Sequence, residues 1–454
     1  MKATPAPTII TRRGYRFPPG PKSDLLWKVL RTRRPVQPIE FFQRLVRDYG
    51  DVVHYRVRRQ DVIFLNDPEY IQEILVAQND NFIKERTVQR SKLLLGEGMI
   101  TAEGAAHRAQ RQAANPAFRR ERIPSYAAVM VAEAARTRDS WIPGATLDVS
   151  LEMMYLTLNV VARALFDTDL GDEVREIVAA INTIMGMYHF MLLAPAAEQL
   201  VRLPLPKVAT FRRARARIDR AVARMIEEHR AGRRDPDDLL SMMLRAHGKR
   251  GEDRQLRDEV VTIFLAGYET VSNALTWTWY LLSQNPDAEQ KLHAEVDGVL
   301  AGREATADDY PRLHYTEMVL AEAMRLYPPA WGMGRQALED FELGPYRFPA
   351  RTTIAMSQYI LQRDDRYFPL PERFDPERFT AAAKARRPKF AYFPFGGGGR
   401  QCIGETFAWM EGTLVLATIA QKWRLQLDPE QKVEPEPLIT LRPKYGMRMR
   451  AERR

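Results

Sequence analysis

A chain of 454 residues with 45% hydrophobic and 28% charged residues has ordinary globular composition and apolar material for a large core, which excludes a disordered chain. A single cysteine excludes an intramolecular disulfide and any zinc site built from several thiolates, and it fits a reducing, cytoplasmic compartment. The net charge of +10 suits nucleic acid, an anionic membrane or an acidic protein as a partner. The basic stretch 211–217, however, has helical spacing without interleaved aromatics or a zinc-finger pattern. A solvated helix face is therefore expected there, and nucleic acid is not an expected partner.

In chain order, residues 1–14 read as a flexible tail, and the amino-terminal stretch has no apolar run near the roughly 18–20 residues that span a bilayer, so no transmembrane segment is expected. Residues 51–66 alternate apolar and polar positions in two bursts split by Arg58-Arg59-Gln60-Asp61, which predicts a hairpin. From about 103 to 327 the spacing is helical, with breaks at Pro143-Gly144, Pro204-Leu205-Pro206 and Asn285-Pro286. Within it, the segment from about 256 to 282 has the length of one long helix and carries Ala266-Gly267-Tyr268-Glu269-Thr270. An interior glycine costs a helix about 0.5–1 kcal/mol, so Gly267 needs a reason. Residues 328–400 are rich in proline and arginine and read as irregular with a few short strands. A last helix is expected from Glu405 to about Lys422, then short strands around 424–427 and 438–441. No repeat or linker marks independent domains, so residues 1–454 are expected to form a single catalytic domain.

The segment Phe393-Pro394-Phe395-Gly396-Gly397-Gly398-Gly399-Arg400-Gln401-Cys402-Ile403-Gly404 carries the most chemistry. Glycines let the backbone take positive φ and approach another group, so such a loop can aim several N–H groups at one sulfur. The helix expected after Cys402 adds the positive end of its dipole, which holds a thiol anionic. A phosphate loop requires Lys and then Ser or Thr after the last glycine, and Arg-Gln-Cys stands here instead. The string Gly96-Glu97-Gly98-Met99-Ile100-Thr101 lacks the third glycine of a dinucleotide fingerprint. The remaining histidines show no metal-ligand spacing.

Phe395, Gly398, Arg400, Cys402 and Gly404 match F-x-x-G-x-R-x-C-x-G, and on this motif the chain resembles the cytochrome P-450 family over roughly residues 15–450. The resemblance implies the mainly α P-450 fold with small β-sheets, haem b as cofactor, and Cys402 as the thiolate ligand of its iron. It also implies a monooxygenase that uses dioxygen and electrons from a separate acidic protein of ferredoxin or flavodoxin type, since no redox module is fused to the chain. Glu322 and Arg325 resemble the family's E-x-x-R pair, and Arg378 the arginine that joins it, although Pro371-Glu372-Arg373-Phe374 repeats the string around Arg378 and leaves its register open. The pentapeptide Ala266–Thr270 resembles A-G-x-[DE]-T, in which the glycine lets the helix open for dioxygen and the acid and alcohol, Glu269 and Thr270, relay protons. His107, Arg111, Arg335 and Arg400 match positions that hold the haem propionates.

Family position also puts Phe264, Leu265, Trp331, Met333, Ile439 and Thr440 around a hydrophobic substrate of the fatty-acid, terpenoid or steroid class. The motifs around Cys402 resemble the fatty-acid-hydroxylating branches of the family, and the segment Lys84–Arg90, with Lys84-Glu85-Arg86 and Arg90, reads either as a solvated loop or as one whose basic residues hold a carboxylate. Two rivals are a haem-thiolate peroxygenase or isomerase and a non-catalytic haem sensor. Glu269-Thr270 argues against both, since neither needs a proton relay.

Overall fold

The computed structural model describes residues 9–12, 14–22, 37–57, 60–193, 205–247 and 253–454. It is mainly helical with several small sheets, and it divides into two compact units. The first comprises residues 1–86, 330–373 and 381–402, and the second 87–329, 374–380 and 403–454.

The first unit is built on short strands. β1 (Ile10–Arg12) and β2 (Tyr15–Phe17) form an antiparallel pair, so residues 10–12 are a strand rather than part of a tail. The expected hairpin is β3 (Val52–Val57) and β4 (Gln60–Leu65), antiparallel with Val57 opposite Gln60. Arg58 and Arg59, between the two strands in sequence, lie outside the described residues. β5 (Phe82–Lys84), β6 (Met333–Ala337), β7 (Phe341–Leu343), β8 (Tyr346–Phe348) and β9 (Thr353–Met356) are its further strands, and Pro38–Tyr49 is a helix of the same unit. Five strands join in the order β3-β4-β9-β6-β5, and four in the order β1-β2-β8-β7. Strand β6 lies between β9 and β5, with Arg335 opposite Ile354 on one side and Lys84 on the other. An interior strand of this kind buries its side chains, and Arg335 is only 4% exposed.

The second unit is a helical assembly. Its helices are α1 (Gly104–Ala114), α2 (Ala127–Ser140), α3 (Val149–Phe166), α4 (Glu173–Leu193), α5 (Pro206–Arg230), α6 (Leu239–His247), α7 (Asp253–Gln284), α8 (Pro286–Leu300), α9 (His314–Leu326) and α10 (Glu405–Ala420). Local chemistry sets their limits. The Asp148 carboxylate accepts from Ser150 N and caps α3, Pro286 opens α8, and Pro328-Pro329 follow the end of α9. α7 is buried along most of its length and packs on α3, α9 and α10. Among the described residues one helix, Val149–Phe166, is long and apolar enough to cross a bilayer, and 72% of it is buried inside the protein. On α5, Phe211, Ala214 and Ile218 face the core while Arg212, Arg213 and Arg217 are exposed, a solvated basic face.

Strands Trp423–Leu427, Arg448–Arg453 and Thr146–Asp148 form a small sheet, and Pro435–Pro437 pairs with Leu441–Pro443. A strand was expected at 438–441. Residues 438–440 are instead the turn between those two strands, and pairing begins only at Leu441 opposite Pro437.

Candidate active site

The cysteine loop owes its glycines to close approach. Gly396 and Gly398 have φ of +72° and +66°, and a Cβ on Gly398 would lie 1.7 Å from the Leu75 carbonyl oxygen. Gly396 N–H donates to Phe393 O at 3.0 Å, Gln401 N–H to Gly398 O at 3.1 Å, and Cys402 N–H to Phe395 O at 3.0 Å. These N–H groups are spent on the loop's own carbonyls. They make the loop rigid, and Cys402 remains exposed at its end. Met333, on β6, borders the loop, since a Cβ on Gly396 would meet its Cε at 3.3 Å. Gly404 is the N-cap position of α10, its carbonyl accepting from Ala408 N at 2.8 Å.

Glu322 and Arg325 are on α9, neither side chain exposed, with Arg325 Nε 2.6 Å from Glu322 Oε2 and Nη2 2.8 Å from Oε1. Asp375 N–H donates to Glu322 Oε1 at 2.9 Å, and Arg378 Nε lies 3.4 Å from the same oxygen. Burial raises the Glu322 pKa, while Arg325, the Asp375 N–H and Arg378 hold it down. This carboxylate ties α9 to the segment 374–380.

On α7, Phe264 is 1% exposed and its ring lies 6.1 Å from that of Phe166 on α3. It belongs to the helix-packing core rather than to a cavity wall, a correction to its expected place beside substrate. Leu265 is also buried, whereas Ala266 is exposed and Gly267 and Thr270 are partly so. These three make one accessible stripe of small residues on a helix buried along most of its length. A Cβ on Gly267 would stand 2.9 Å from Val161 Cγ2, so the glycine is required by the packing of α7 on α3. The helix runs unbroken through it. Thr270 Oγ1 donates to Ala266 O at 2.8 Å.

Glu269 is buried, and its Oε1 accepts from Thr440 Oγ1 at 2.6 Å. Burial raises its pKa, opposed by that hydrogen bond and by the Arg442 charge. Thr440, expected against substrate, thus sits in the buried turn contact with α7, where Asn273 Nδ2 also donates to it at 3.1 Å. Nothing in the local sequence signals this pairing across 171 positions. Ile439 beside it is 38% exposed. Trp331 O accepts from Ser357 Oγ at 2.7 Å, and the Trp331 ring lies 6.4 Å from that of Phe42.

His107 is buried on α1, and Arg111 follows one turn later, partly buried. Arg335 is buried on β6, its Nη1 donating to Gly334 O at 2.9 Å, and Arg400 is partly buried in the cysteine loop. These residues fit haem b. A thiol at the end of a rigid loop would hold the iron, and sheltered guanidinium groups would pair with the carboxylates of the group.

A family model described as cytochrome P450 matches residues 18–448. The chain is 39% identical to cyclooctatin synthase of Streptomyces melanosporofaciens over 91% of its own length and 90% of that protein's. It is 36% identical to cyclooctat-9-en-7-ol 5-monooxygenase of the same organism, covering 87% and 86%, and 33% identical to pentalenene oxygenase of Streptomyces avermitilis, covering 93% and 94%. The chain belongs to the cytochrome P450 family. It is a haem-thiolate monooxygenase that places one oxygen atom of dioxygen into a hydrophobic substrate with electrons from a redox partner.

Proposed function

We propose that the substrate is a terpenoid hydrocarbon or alcohol. The observation that carries this reading is the 39% identity to cyclooctatin synthase along nine-tenths of both chains, joined by two further relatives that modify terpenoids. The fatty-acid branch suggested by the motifs near Cys402 finds no support among these relatives. Apolar residues such as Leu265, Ala266 and Ile439 would offer about 25 cal/mol per Å² of buried surface and few polar partners, which suits such molecules.

In this reading Cys402 holds the haem iron, and His107, Arg111, Arg335 and Arg400 hold the propionates. The bound haem supplies dioxygen activation and an oxidant able to attack an unactivated C–H bond. The protein's own residues handle protons and water. Ala266 and Gly267 leave room for a small ligand. Thr270 keeps its hydroxyl proton on Ala266 O until a better acceptor arrives, and Glu269, buried with its pKa raised by that burial, is the proton donor behind it. Electrons come from an acidic ferredoxin or flavodoxin steered by the net charge of +10 to the Cys402 side. The single cysteine supports a cytoplasmic setting.

Titration of the ferric protein with pentalenene, cyclooctat-9-en-7-ol, a long-chain fatty acid, its methyl ester and a steroid tests the reading. A low-spin to high-spin shift is expected with the terpenoids. A shift with the fatty acid alone, tighter for acid than ester, would overturn it and return attention to Lys84–Arg90 as a carboxylate anchor.

A further inference from the structure

Glu269 ends a directed hydrogen-bond chain. The Asn273 amide nitrogen can only donate, so it takes a lone pair of Thr440 Oγ1, and the single hydroxyl proton of Thr440 must then go to Glu269 Oε1. Asn273 lies one helical turn beyond Glu269 on α7, so both ends of the chain are fixed to one rigid element and only Thr440 belongs to another. The turn that carries Thr440 is itself pinned, because Trp277 Nε1 donates to Leu441 O at 3.1 Å and Leu441 N–H to Pro329 O at 2.9 Å. All three side chains of the chain are at least nine-tenths buried. The charge that bears on Glu269 from outside its helix is Arg442, two residues past Thr440 and paired with Glu436 at 3.2 Å. Tyr268, also buried, precedes it on the same helix.

We propose that Thr440, oriented by Asn273, is a positioning residue for oxygen activation: it holds Oε1 of Glu269 and leaves Oε2 to exchange the proton. Glu269 gives a proton from Oε2 toward Thr270, becomes a carboxylate stabilised by the Thr440 hydroxyl, and regains a proton from water. This rests on the reading of Glu269 as the proton donor.

The test uses the haem-loaded protein, reduced and carbon monoxide-bound, with infrared titration of the protonated-carboxyl band that Glu269→Gln abolishes. Thr440→Val removes a bond to the charged form, so the band's midpoint should rise by about 1–2 pH units. Thr440→Ser should restore it. In parallel, oxygen uptake driven by a plant-type ferredoxin and its reductase should slow several-fold in Glu269→Gln, and its pH profile should shift in Thr440→Val. An unchanged midpoint in Thr440→Val, with Glu269→Gln slow, overturns the role of Thr440 alone. Normal uptake in Glu269→Gln overturns the proton-donor reading and this proposal with it. If Thr440→Val fails to take up haem, Asn273→Leu is read instead. It should move the midpoint upward by less, and no movement overturns the proposal.

Discussion

Glu322 and Arg325 form an ion pair three residues apart on one helix with neither side chain exposed to solvent. On a helix surface such a pair contributes a few tenths of a kcal/mol, but burial changes the stakes, because removing one partner strands the other's charge in the interior. Glu322→Ala should destabilise the protein by about 3–5 kcal/mol. It also removes the acceptor for Asp375 N–H and the anion beside Arg378, so the segment 374–380 loosens. Denaturant melts followed by circular dichroism check this, and a loss under about 1 kcal/mol would contradict it.

Thr270 donates to Ala266 O within the accessible stripe of α7. Thr270→Ala removes one hydroxyl and no core contact, so haem content and substrate spin shift should stay as they are. Product formed per reducing equivalent should fall several-fold, with hydrogen peroxide making up the difference. Unchanged coupling would remove Thr270 from the mechanism.

How much of this was legible in the sequence follows from the range of each signal. The cysteine loop, the hairpin at 51–66, the long helix α7 and the break at Asn285-Pro286 are written in local pattern, and each was readable. The loop's glycines were noticed, but their cause, the Leu75 carbonyl against Gly398, is a tertiary contact. The same holds for Gly267 against Val161. Residues 438–441 read as a strand because a short apolar run cannot be told from an apolar turn. The string around Arg378 occurs twice, and only the carboxylate of Glu322 distinguishes the copies. Thr440 was assigned to the pocket by family position, whereas its hydroxyl is bound to Glu269.

Glu411 is a further signal in the sequence, a lone acid inside the apolar run 406–420. It is fully buried on α10, neither carboxyl oxygen has a hydrogen-bond partner, and burial alone raises its pKa well above the ordinary carboxylate value. The native state therefore keeps a proton that the unfolded chain releases above about pH 4.5. Stability from this group is present at low pH and is lost as pH rises toward its folded pKa. Glu411→Gln, which resembles the neutral acid, should flatten that decline by up to about 1.4 kcal/mol per pH unit. Parallel stability-pH curves for the two proteins would contradict it.

The net charge of +10 predicts a salt-dependent encounter with an acidic electron donor. Raising salt from about 0.01 M to about 0.15 M shortens the Debye length from about 30 Å to about 8 Å, so the first-electron rate at limiting donor should fall several-fold. A rate indifferent to salt would contradict an electrostatically guided donor.

Ligation of the haem iron by Cys402 is the claim on which everything else depends. The most direct measurement is the absorption spectrum of the reduced, carbon monoxide-bound protein, taken for the natural chain and for Cys402→Ser. The natural chain should show the red-shifted Soret band of thiolate ligation, and the variant should lose it. An unshifted band in the natural chain, or a shifted band that survives Cys402→Ser, would contradict the account.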